Sequence, residues 1–373
     1  MSGPTTSSNT IHGNAAESGH GGVVYSRGES LITATNGSTI AYNFALLGNG
    51  GVVFCFLGDS SIKAVNRAIF AGNQASFGGV SAVHSGDTVI SAMHGSSFVN
   101  NSALVYGGVS HVAGASNILE FSVFSSLVAF NGAQSSGGVV YSAGEVIINF
   151  LDSDISENSA GASGGVTFSG LGILLRANDS SLVGNIALDG NGGISNNMQR
   201  MCDIKLFDTI VVNNSASGDG GAYYAQGVLT VEVTESLVSG NVAGRSGGVF
   251  SSRRSITARI AQSSIASNKA SSGNGGVSSS LGSTSFEIAA STVSSNIAAA
   301  GSGGAFYSGT AASLAVEGSD LQSHVALNGG VLYASAGGQA TFGSGSQVSG
   351  NTADYGGVVY SYPGYKLTVM VHL

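Results

Sequence analysis

The sequence predicts an all-β fold, a single-stranded right-handed parallel β-helix (solenoid) with about 13 coils of ~28 residues and three strands per coil. The first observation is a glycine pair that recurs thirteen times, from Gly21-Gly22 to Gly356-Gly357, at intervals of 26 to 30 residues. The second is an Asn-x-Ala motif upstream of every pair but one, and the third is an apolar residue directly after every pair. A period this even is typical of a repeat architecture. Right-handed winding is expected from the general bias of parallel crossover connections.

The segment after each glycine pair is predicted to be the first strand of a coil. The residue after the pair is Val, Ile or Ala, and the residue two positions later is often aromatic, as in Tyr141, Phe168, Tyr307 and Tyr333. Side chains two positions apart share one face of a strand. We therefore expect both columns to point inward, with the aromatic rings stacked from coil to coil. The glycine pair supplies a sharp corner before this strand.

The other two predicted strands are short β-branched runs, such as residues 31–33 and 38–40, bounded by Gly, Ser or Asn. Glycine and β-branched residues recur too often for a stable helix. One repeat buries too little apolar surface to offset the conformational entropy that it loses on folding. The repeats are therefore expected to stack on one another.

The recurring asparagine follows the third predicted strand, three residues after an apolar side chain. We expect it at a tight turn, because Asn tolerates a left-handed backbone and hydrogen-bonds its own neighbours. Stacked coils would align these side chains as an asparagine ladder. His324 replaces Asn in one coil and is predicted to be a tolerated turn variant. The predicted structural turn residues are Asn73, Asn101, Asn131, Asn158, Asn185, Asn214, Asn241, Asn268, Asn296 and Asn351.

The composition limits the class of protein. The 373 residues include 59 glycines but only 2 prolines, and 9% of them are charged, which argues against a collagen-like or disordered chain. The net charge of -8 argues against nucleic acid as a partner. No apolar run is long enough for a transmembrane helix, and no secretory signal is visible. Cys55 and Cys202 lie five repeats apart, too far for an internal disulfide.

Residues 1–373 are predicted to form one continuous β-helix repeat domain. Residues 1–10 are expected to be disordered or a partial first coil, and residues 366–373 are expected to be a terminal strand. Solenoids usually end in atypical capping repeats, and neither end of this chain shows one. We therefore expect a fragment of a longer protein.

The motifs apolar-x-x-Asn and Gly-Gly-(Val/Ala/Ile) together resemble the chlamydial polymorphic outer membrane protein repeats, whose signatures are Phe-x-x-Asn and Gly-Gly-Ala-Ile. The strict first signature occurs at residues 70–73 and 98–101, and the glycine pair is mostly followed by Val. The resemblance covers essentially the whole chain. It implies a right-handed parallel β-helix of the pectate-lyase-like superfamily, secretion as an autotransporter, and a role in surface adhesion.

A row of carboxylates precedes the asparagine by six residues in four consecutive coils, at Asp152, Asp179, Asp208 and Glu235. Stacked carboxylate oxygens can bind Ca²⁺. A Ser or Thr follows each of them, however, and Asp-Ser is ordinary turn chemistry, which favours a turn. We expect no cofactor, with Ca²⁺ at this row as the alternative.

The dense basic cluster of the chain comprises Arg245, Arg253, Arg254 and Arg259. Such a cluster can bind an acidic polysaccharide, or it can be a solvated face that balances neighbouring glutamates. Gly19-His20-Gly21 resembles the Gly-His-Gly of β-helical polygalacturonases, but its third residue is the first glycine of the repeat, and no Asp-Asp or Arg-Ile-Lys accompanies it. His20 is therefore predicted to have no catalytic role.

The position between the two predicted inward columns is expected to face solvent. It is apolar at Phe306, Leu332 and Val359 in the last three coils. An exposed apolar stripe indicates a contact surface. The alternative is that a loop covers it.

These patterns favour a non-catalytic, adhesin-like β-helix scaffold, extracellular or at the cell surface or outer membrane. We expect it to bind a cell-surface protein or polysaccharide through its sheet faces, with end-to-end or face-to-face self-association as a further possibility. The alternative is a β-helical polysaccharide lyase or glycoside hydrolase that acts on acidic polysaccharide near residues 152–259. The even repeat favours the scaffold, because β-helix active sites lie in clefts built by long insertions, and no coil carries one.

Overall fold

A computed structural model describes residues 8–362 and 364–369. These residues form β-strands and contain no helix, so none of them belongs to a helix that could cross a membrane. The chain divides into two compact units, unit 1 up to residue 181 and unit 2 from residue 182. Each unit is a right-handed parallel solenoid, which confirms the predicted fold class. That the whole chain is one continuous domain stays a prediction.

Each complete coil has four strands, where three were predicted. Sheet I follows the glycine pair, sheets II and III come next, and sheet IV follows the asparagine. Sheet IV is easily missed in the sequence because several of its strands, such as Ser159–Ala160, are only two residues long. All pairing is parallel between successive coils.

Unit 1 contains strands of all four sheets. Sheet I consists of Val24–Ser26, Val53–Leu57, Ser81–Ser85, Ser110–Val112, Val140–Ser142 and Thr167–Ser169. Sheet II consists of Ser30–Thr35, Ser60–Val65, Thr88–Met93, Ile118–Phe124, Glu145–Leu151 and Ile173–Asn178. Sheet III consists of Thr10–His12, Thr39–Ala41, Ile69–Ala71, Ser97–Val99, Leu127–Ala129 and Asp154–Ser156. Sheet IV consists of Phe44–Asn49, Gln74–Phe77, Ser102–Tyr106, Gly132–Ala133 and Ser159–Ala160.

Unit 2 repeats this arrangement. Sheet I consists of Ser195–Asn197, Tyr223–Ala225, Phe250–Ser252, Ser278–Ser280, Phe306–Ser308, Leu332–Ala334 and Val359–Ser361. Sheet II consists of Cys202–Phe207, Leu229–Thr234, Ile256–Ala261, Thr284–Ala289, Ala312–Glu317, Gly338–Phe342 and Tyr365–Val369. Sheet III consists of Ser181–Val183, whose first residue is the last of unit 1, and of Ile210–Val212, Leu237–Ser239, Ser264–Ala266, Thr292–Ser294, Asp320–Gln322 and Gln347–Ser349. Sheet IV consists of Ile186–Ala187, Ser215–Ala216, Val242–Ala243, Lys269–Ala270, Ile297–Ala298, Val325–Asn328 and Thr352–Tyr355.

The two ends of the chain were predicted to differ from the other coils. Residues 1–7 of the expected disordered or partial first coil lie outside the described residues, and Thr10 already begins a strand. The predicted terminal strand at residues 366–373 corresponds to Tyr365–Val369, and residues 370–373 lie outside the described residues.

Equivalent side chains stack from coil to coil in each unit. The backbone N–H of Val139 donates to the carbonyl of Val166 at 2.9 Å, and in unit 2 Ile194 donates to Ala222 at 2.8 Å. Inside unit 1 the buried rings of Phe70 and Phe98 stack with centroids 4.9 Å apart. The core is therefore built from files of like residues, as the repeat predicted.

The asparagines form the predicted ladder. In each successive pair from Asn14 to Asn158, and from Asn185 to Asn296, the side-chain Nδ2 donates to the next Oδ1 at 2.9–3.0 Å. The backbone expectation was wrong, because the left-handed residue is the one before the asparagine, such as Phe130 with φ 57°. That residue makes the turn, and the buried Asn131 side chain is left to point into the stack.

The glycine pair forms the second corner, as predicted. Gly137 has a φ of 70°, a left-handed conformation that glycine adopts without steric cost. A Cβ on Gly138 would collide with the carbonyl oxygen of Gly165 in the next coil. The first glycine therefore makes the bend, and the second allows successive coils to approach closely.

Candidate functional site

The glycine corner determines which side chains of sheet I face outward. The residue after the pair, such as Val166, still lies in the bend, and the strand begins one residue later at Thr167. Thr167 is therefore buried, and Phe168 is partly exposed on the outer face. The expectation that the aromatic column points inward was wrong, because strand alternation starts one residue later than the sequence suggested.

The same shift removes the predicted apolar stripe. Phe306 and Leu332 were expected to face solvent, but both are 0% exposed and belong to the core of unit 2. Val359 is half-buried. The outward position is the next residue, which is Tyr307, Tyr333 and Tyr360 in these coils, and their rings stack at 5.1 and 5.5 Å. The outward-facing column of sheet I therefore lies one residue later than predicted, and these three tyrosines are partly exposed on it.

A groove of about 360 Å³, lined mainly by residues with polar side chains, lies on this outer face in the middle of unit 2. Its floor is formed by outward residues of three successive strands, Tyr224, Ser251 and Ser279. One wall comes from the turns before the glycine pairs, and the other comes from the turns after sheet I. The lining residues are Asp219, Tyr224, Arg245, Ser246, Ser251, Ser252, Arg253, Ser272, Gly273, Asn274, Ser279 and Leu281.

The first wall is held by a second ladder, at the position before the glycine pair. The Asn191 Oδ1 accepts the backbone N–H of Asp219 at 2.7 Å, and the Asp219 Oδ1 accepts that of Ser246 at 3.0 Å. Ser246 and Asn274 continue the series with the next coils at 3.1 and 2.8 Å. The sequence carries the signal for this ladder as Asn, Asp or Ser directly before Gly-Gly, a position that the repeat motif used above does not include.

Two of the four clustered arginines line the groove. Arg245 is 61% exposed along its side chain and pairs with Asp219, Nη2 to Oδ2, at 3.4 Å. Arg253 is exposed on the opposite wall, and within the described residues no carboxylate lies at ion-pairing distance from it. Burial raises the pKa of the Tyr224 phenol on the floor, and the nearby Arg253 guanidinium partly opposes this shift. The groove therefore combines a neutral hydroxyl floor with an uncompensated positive charge.

The other two arginines are placed elsewhere. Arg254 is exposed and is not part of the groove lining. Arg259 lies on the outer face of sheet II, in register between Glu232 and Glu287. This position agrees with the alternative that the sequence offered, a solvated face of compensating charges.

The carboxylate row lies at the corner between sheets II and III, away from the groove. Asp152 and Asp179 in unit 1, and Asp208 and Glu235 in unit 2, are exposed and left-handed, with φ between 43° and 51°. The Ser or Thr after each is buried. These features support the turn. Among the described residues no three acidic, His or Cys side chains are grouped as a metal site, and Ca²⁺ binding stays a prediction.

His20 and His324 each belong to a ladder of side chains that accept a backbone N–H from a neighbouring coil. The Nδ1 of His20 accepts the backbone N–H of Asn49 at 3.0 Å, so His20 occupies the position before the glycine pair. The Nδ1 of His324 accepts the N–H of Asn296 at 3.2 Å in the asparagine ladder. Each therefore has a structural role.

The groove is suited to binding rather than to proton transfer. Both oxygens of Asp219 are occupied, one by a backbone N–H and one by Arg245, and Tyr224 is held in its neutral form. Arg253 contacts the Tyr224 phenol through a side-chain hydrogen bond, and its other N–H groups are available to a ligand. The hydroxyls of Ser251 and Ser279 lie at the bottom of the groove, where these residues are 5% and 4% exposed. No protein-family model, no curated protein and no solved structure matches this chain.

Proposed function

We propose that this protein is a non-catalytic, extracellular or cell-surface β-helix scaffold that binds an acidic polysaccharide across the outer face of sheet I in unit 2. The observation that carries the proposal is Arg253, an exposed guanidinium without a carboxylate partner among the described residues, beside a floor of hydroxyl groups. A guanidinium has five N–H donors in a planar fork that matches a carboxylate. A carboxylated sugar would place its anion on Arg253 and its hydroxyls on Ser251 and Ser279.

A polysaccharide fits the groove better than a peptide does. An extended peptide usually adds to a free strand edge, or places apolar side chains in pockets. The strand Phe250–Ser252 is already paired on both sides, by Tyr223–Ala225 and Ser278–Ser280, so its backbone is not available. The groove has one aliphatic residue, Leu281, in its lining. A hydroxylated, charged chain therefore matches the lining better than an apolar one.

A surface location is part of the proposal. It is supported by the resemblance of the repeats to polymorphic outer membrane protein repeats, which serve in surface adhesion. Aromatic side chains partly exposed along sheet I, such as Tyr307 and Tyr333, offer a second contact surface, to which a cell-surface protein or a second copy of the chain would bind. Detection of the protein on intact cells by an antibody would support this part of the proposal, and an exclusively internal signal would contradict it.

The rival proposal is a polysaccharide lyase or hydrolase acting in the same groove. It needs a group that can give or take a proton at the substrate. The groove carboxylate, Asp219, is committed to Ser246 and Arg245, and the phenol of Tyr224 has a raised pKa. These contacts favour binding without turnover.

The test is calorimetric titration of the full chain with oligogalacturonate, with neutral cello-oligosaccharide as the uncharged comparison. Loss of one charge-assisted hydrogen bond costs about 1.5–3 kcal/mol, so Arg253→Gln is expected to weaken binding by roughly tenfold or more. Arg254→Gln is the matched control, because it removes the same charge from the neighbouring residue outside the groove. It should leave the affinity within about twofold.

Three results would contradict the proposal. They are equal losses in the two arginine variants, equal affinity for the neutral oligosaccharide, and equal affinity for polyglutamate, which would indicate an acidic peptide as the ligand. Release of shortened or unsaturated oligogalacturonate by the wild-type chain, abolished in Arg253→Gln, would replace the scaffold with the rival enzyme.

A further inference from the structure

Two tyrosines of successive coils lie face to face on the surface of unit 1. Tyr106 ends the sheet IV strand Ser102–Tyr106, and Tyr141 is an outward residue of the sheet I strand Val140–Ser142. Their ring centroids are 4.2 Å apart, and their planes differ by 17°. This is the shortest ring separation in the aromatic column of unit 1, which makes the pair a candidate for chemistry between the rings.

Neighbouring rings hold the pair in place. Phe168 stacks on Tyr141 at 4.9 Å and 3°, and Phe77 contacts Tyr106 at 5.8 Å. His111 lies beside both tyrosines, at 6.0 Å from Tyr106 and 5.3 Å from Tyr141. Both tyrosines are only half-buried, so an oxidant in solvent can reach them. The geometry therefore combines a fixed ring-to-ring approach with access from solvent.

We propose that Tyr106 and Tyr141 are a site of oxidative coupling, at which a peroxidase with hydrogen peroxide forms a dityrosine bond between two coils. Each phenol loses one electron and one proton, and the two tyrosyl radicals join through a ring carbon next to the one that bears oxygen. The hydrogens on the two joined carbons move to the oxygens, which restores both phenols. Hydrogen peroxide takes up the two electrons and two protons and leaves as two water molecules. The site is independent of the proposed polysaccharide groove.

This pair is favoured over the other tyrosines by distance. In unit 2 the stacked pairs Tyr307–Tyr333 and Tyr333–Tyr360 are separated by 5.1 and 5.5 Å. The remaining rings around Tyr141 belong to Phe and His, which have no phenol to oxidise. Coupling would link two successive coils covalently on the outer face of sheet I.

The test exposes the full chain, at low concentration, to horseradish-type peroxidase and hydrogen peroxide, followed by unfolding and cleavage after glutamate. Cleavage at Glu29, Glu120 and Glu145 places Tyr106 in the peptide 30–120 and Tyr141 in the peptide 121–145, of which Tyr141 is the sole tyrosine. We expect dityrosine fluorescence and one joined peptide, whose mass equals the sum of the two minus two hydrogen atoms. Tyr106→Phe should abolish the joined peptide while keeping the ring stack.

Tyr42→Phe is the matched control. Tyr42 is 61% exposed, lies on the same peptide as Tyr106, and has no ring partner among the described residues, so its loss should leave the joined peptide unchanged. If circular dichroism shows that Tyr106→Phe does not fold, Tyr141→Phe replaces it. The proposal is overturned if the joined peptide persists in the Phe variant, if urea-unfolded chain couples equally well, or if coupling occurs only between molecules.

Discussion

At the scale of single residues, His324 shows how the asparagine ladder accepts another side chain. Its Nδ1 accepts the backbone N–H of Asn296 at 3.2 Å. The backbone N–H of His324 in turn donates to the Asn351 Oδ1 at 3.0 Å. The side chain is 0% exposed, and burial lowers the pKa of His324 to about 4. A proton on Nδ1 would face the Asn296 N–H, so the ladder needs the neutral imidazole.

This residue is expected to make stability depend on pH. The folded pKa lies below the unfolded value of about 6.5, so the unfolded chain binds the proton more tightly. The stability contributed by neutral His324 is fully present above about pH 6.5 and is lost as pH falls toward 4, at about 1.4 kcal/mol per pH unit. His324→Asn should remove this loss, and urea unfolding of both proteins between pH 4 and 7.5 measures it.

His111 is the internal comparison, because burial also lowers its pKa to about 4, so some acid sensitivity should survive in His324→Asn. The stability difference between the variant and the wild type should stay constant above about pH 6.5 and grow in favour of the variant below it. Parallel curves at all pH values would contradict the assignment.

At the scale of the strand and its corner, the glycine pair decides how the coil meets its neighbour. Gly137 makes the left-handed bend, and Gly138 passes so close to Gly165 of the next coil that a Cβ has no room. The bend also keeps Val139 out of the strand, so the strand begins at Val140. Val140 therefore faces the core, and Tyr141 faces outward. One corner thus determines both the coil spacing and the outward face.

We therefore expect Gly138→Ala to destabilise unit 1 by about 3 kcal/mol, because backbone must move to admit the methyl group. Gly28→Ala is the matched control, since Gly28 has no atom within 4 Å of the added Cβ and is not left-handed. It should be neutral or slightly stabilising. Urea unfolding followed by circular dichroism gives both values, and similar effects of the two substitutions would show that coil contact at the corner is unimportant.

At the scale of the whole molecule, stability is expected to be nearly additive over coils. Each strand pairs only with the equivalent strands of its neighbouring coils, so a coil interacts with the next one and not with distant ones. Each repeat must therefore keep its length, because equivalent strands of neighbouring coils pair only when the repeats are in register.

Removal of one whole coil is expected to leave a folded chain. Deleting residues 305–330 joins Gly304 to Val331, keeps the register of all four sheets, and brings Asn296 to Asn351 in the ladder. Deleting residues 305–317 removes about half a coil and should disrupt the strands beyond it, because every later strand changes sheet. Circular dichroism distinguishes the two outcomes. Oligogalacturonate binding should survive in both deletions, because every groove residue precedes residue 305.

The sequence by itself determined the parallel solenoid, the coil length and the asparagine ladder, because a regular spacing places the same residue at the same point of each turn. It did not determine which side chains of sheet I face solvent. That was decided by the tertiary structure, in which the corner extends one residue past the glycine pair, buries Phe306 and leaves Tyr307 half-buried on the outer face. The physical reason is that strand alternation has a period of two, so a shift of a single residue at the corner exchanges the core and the surface.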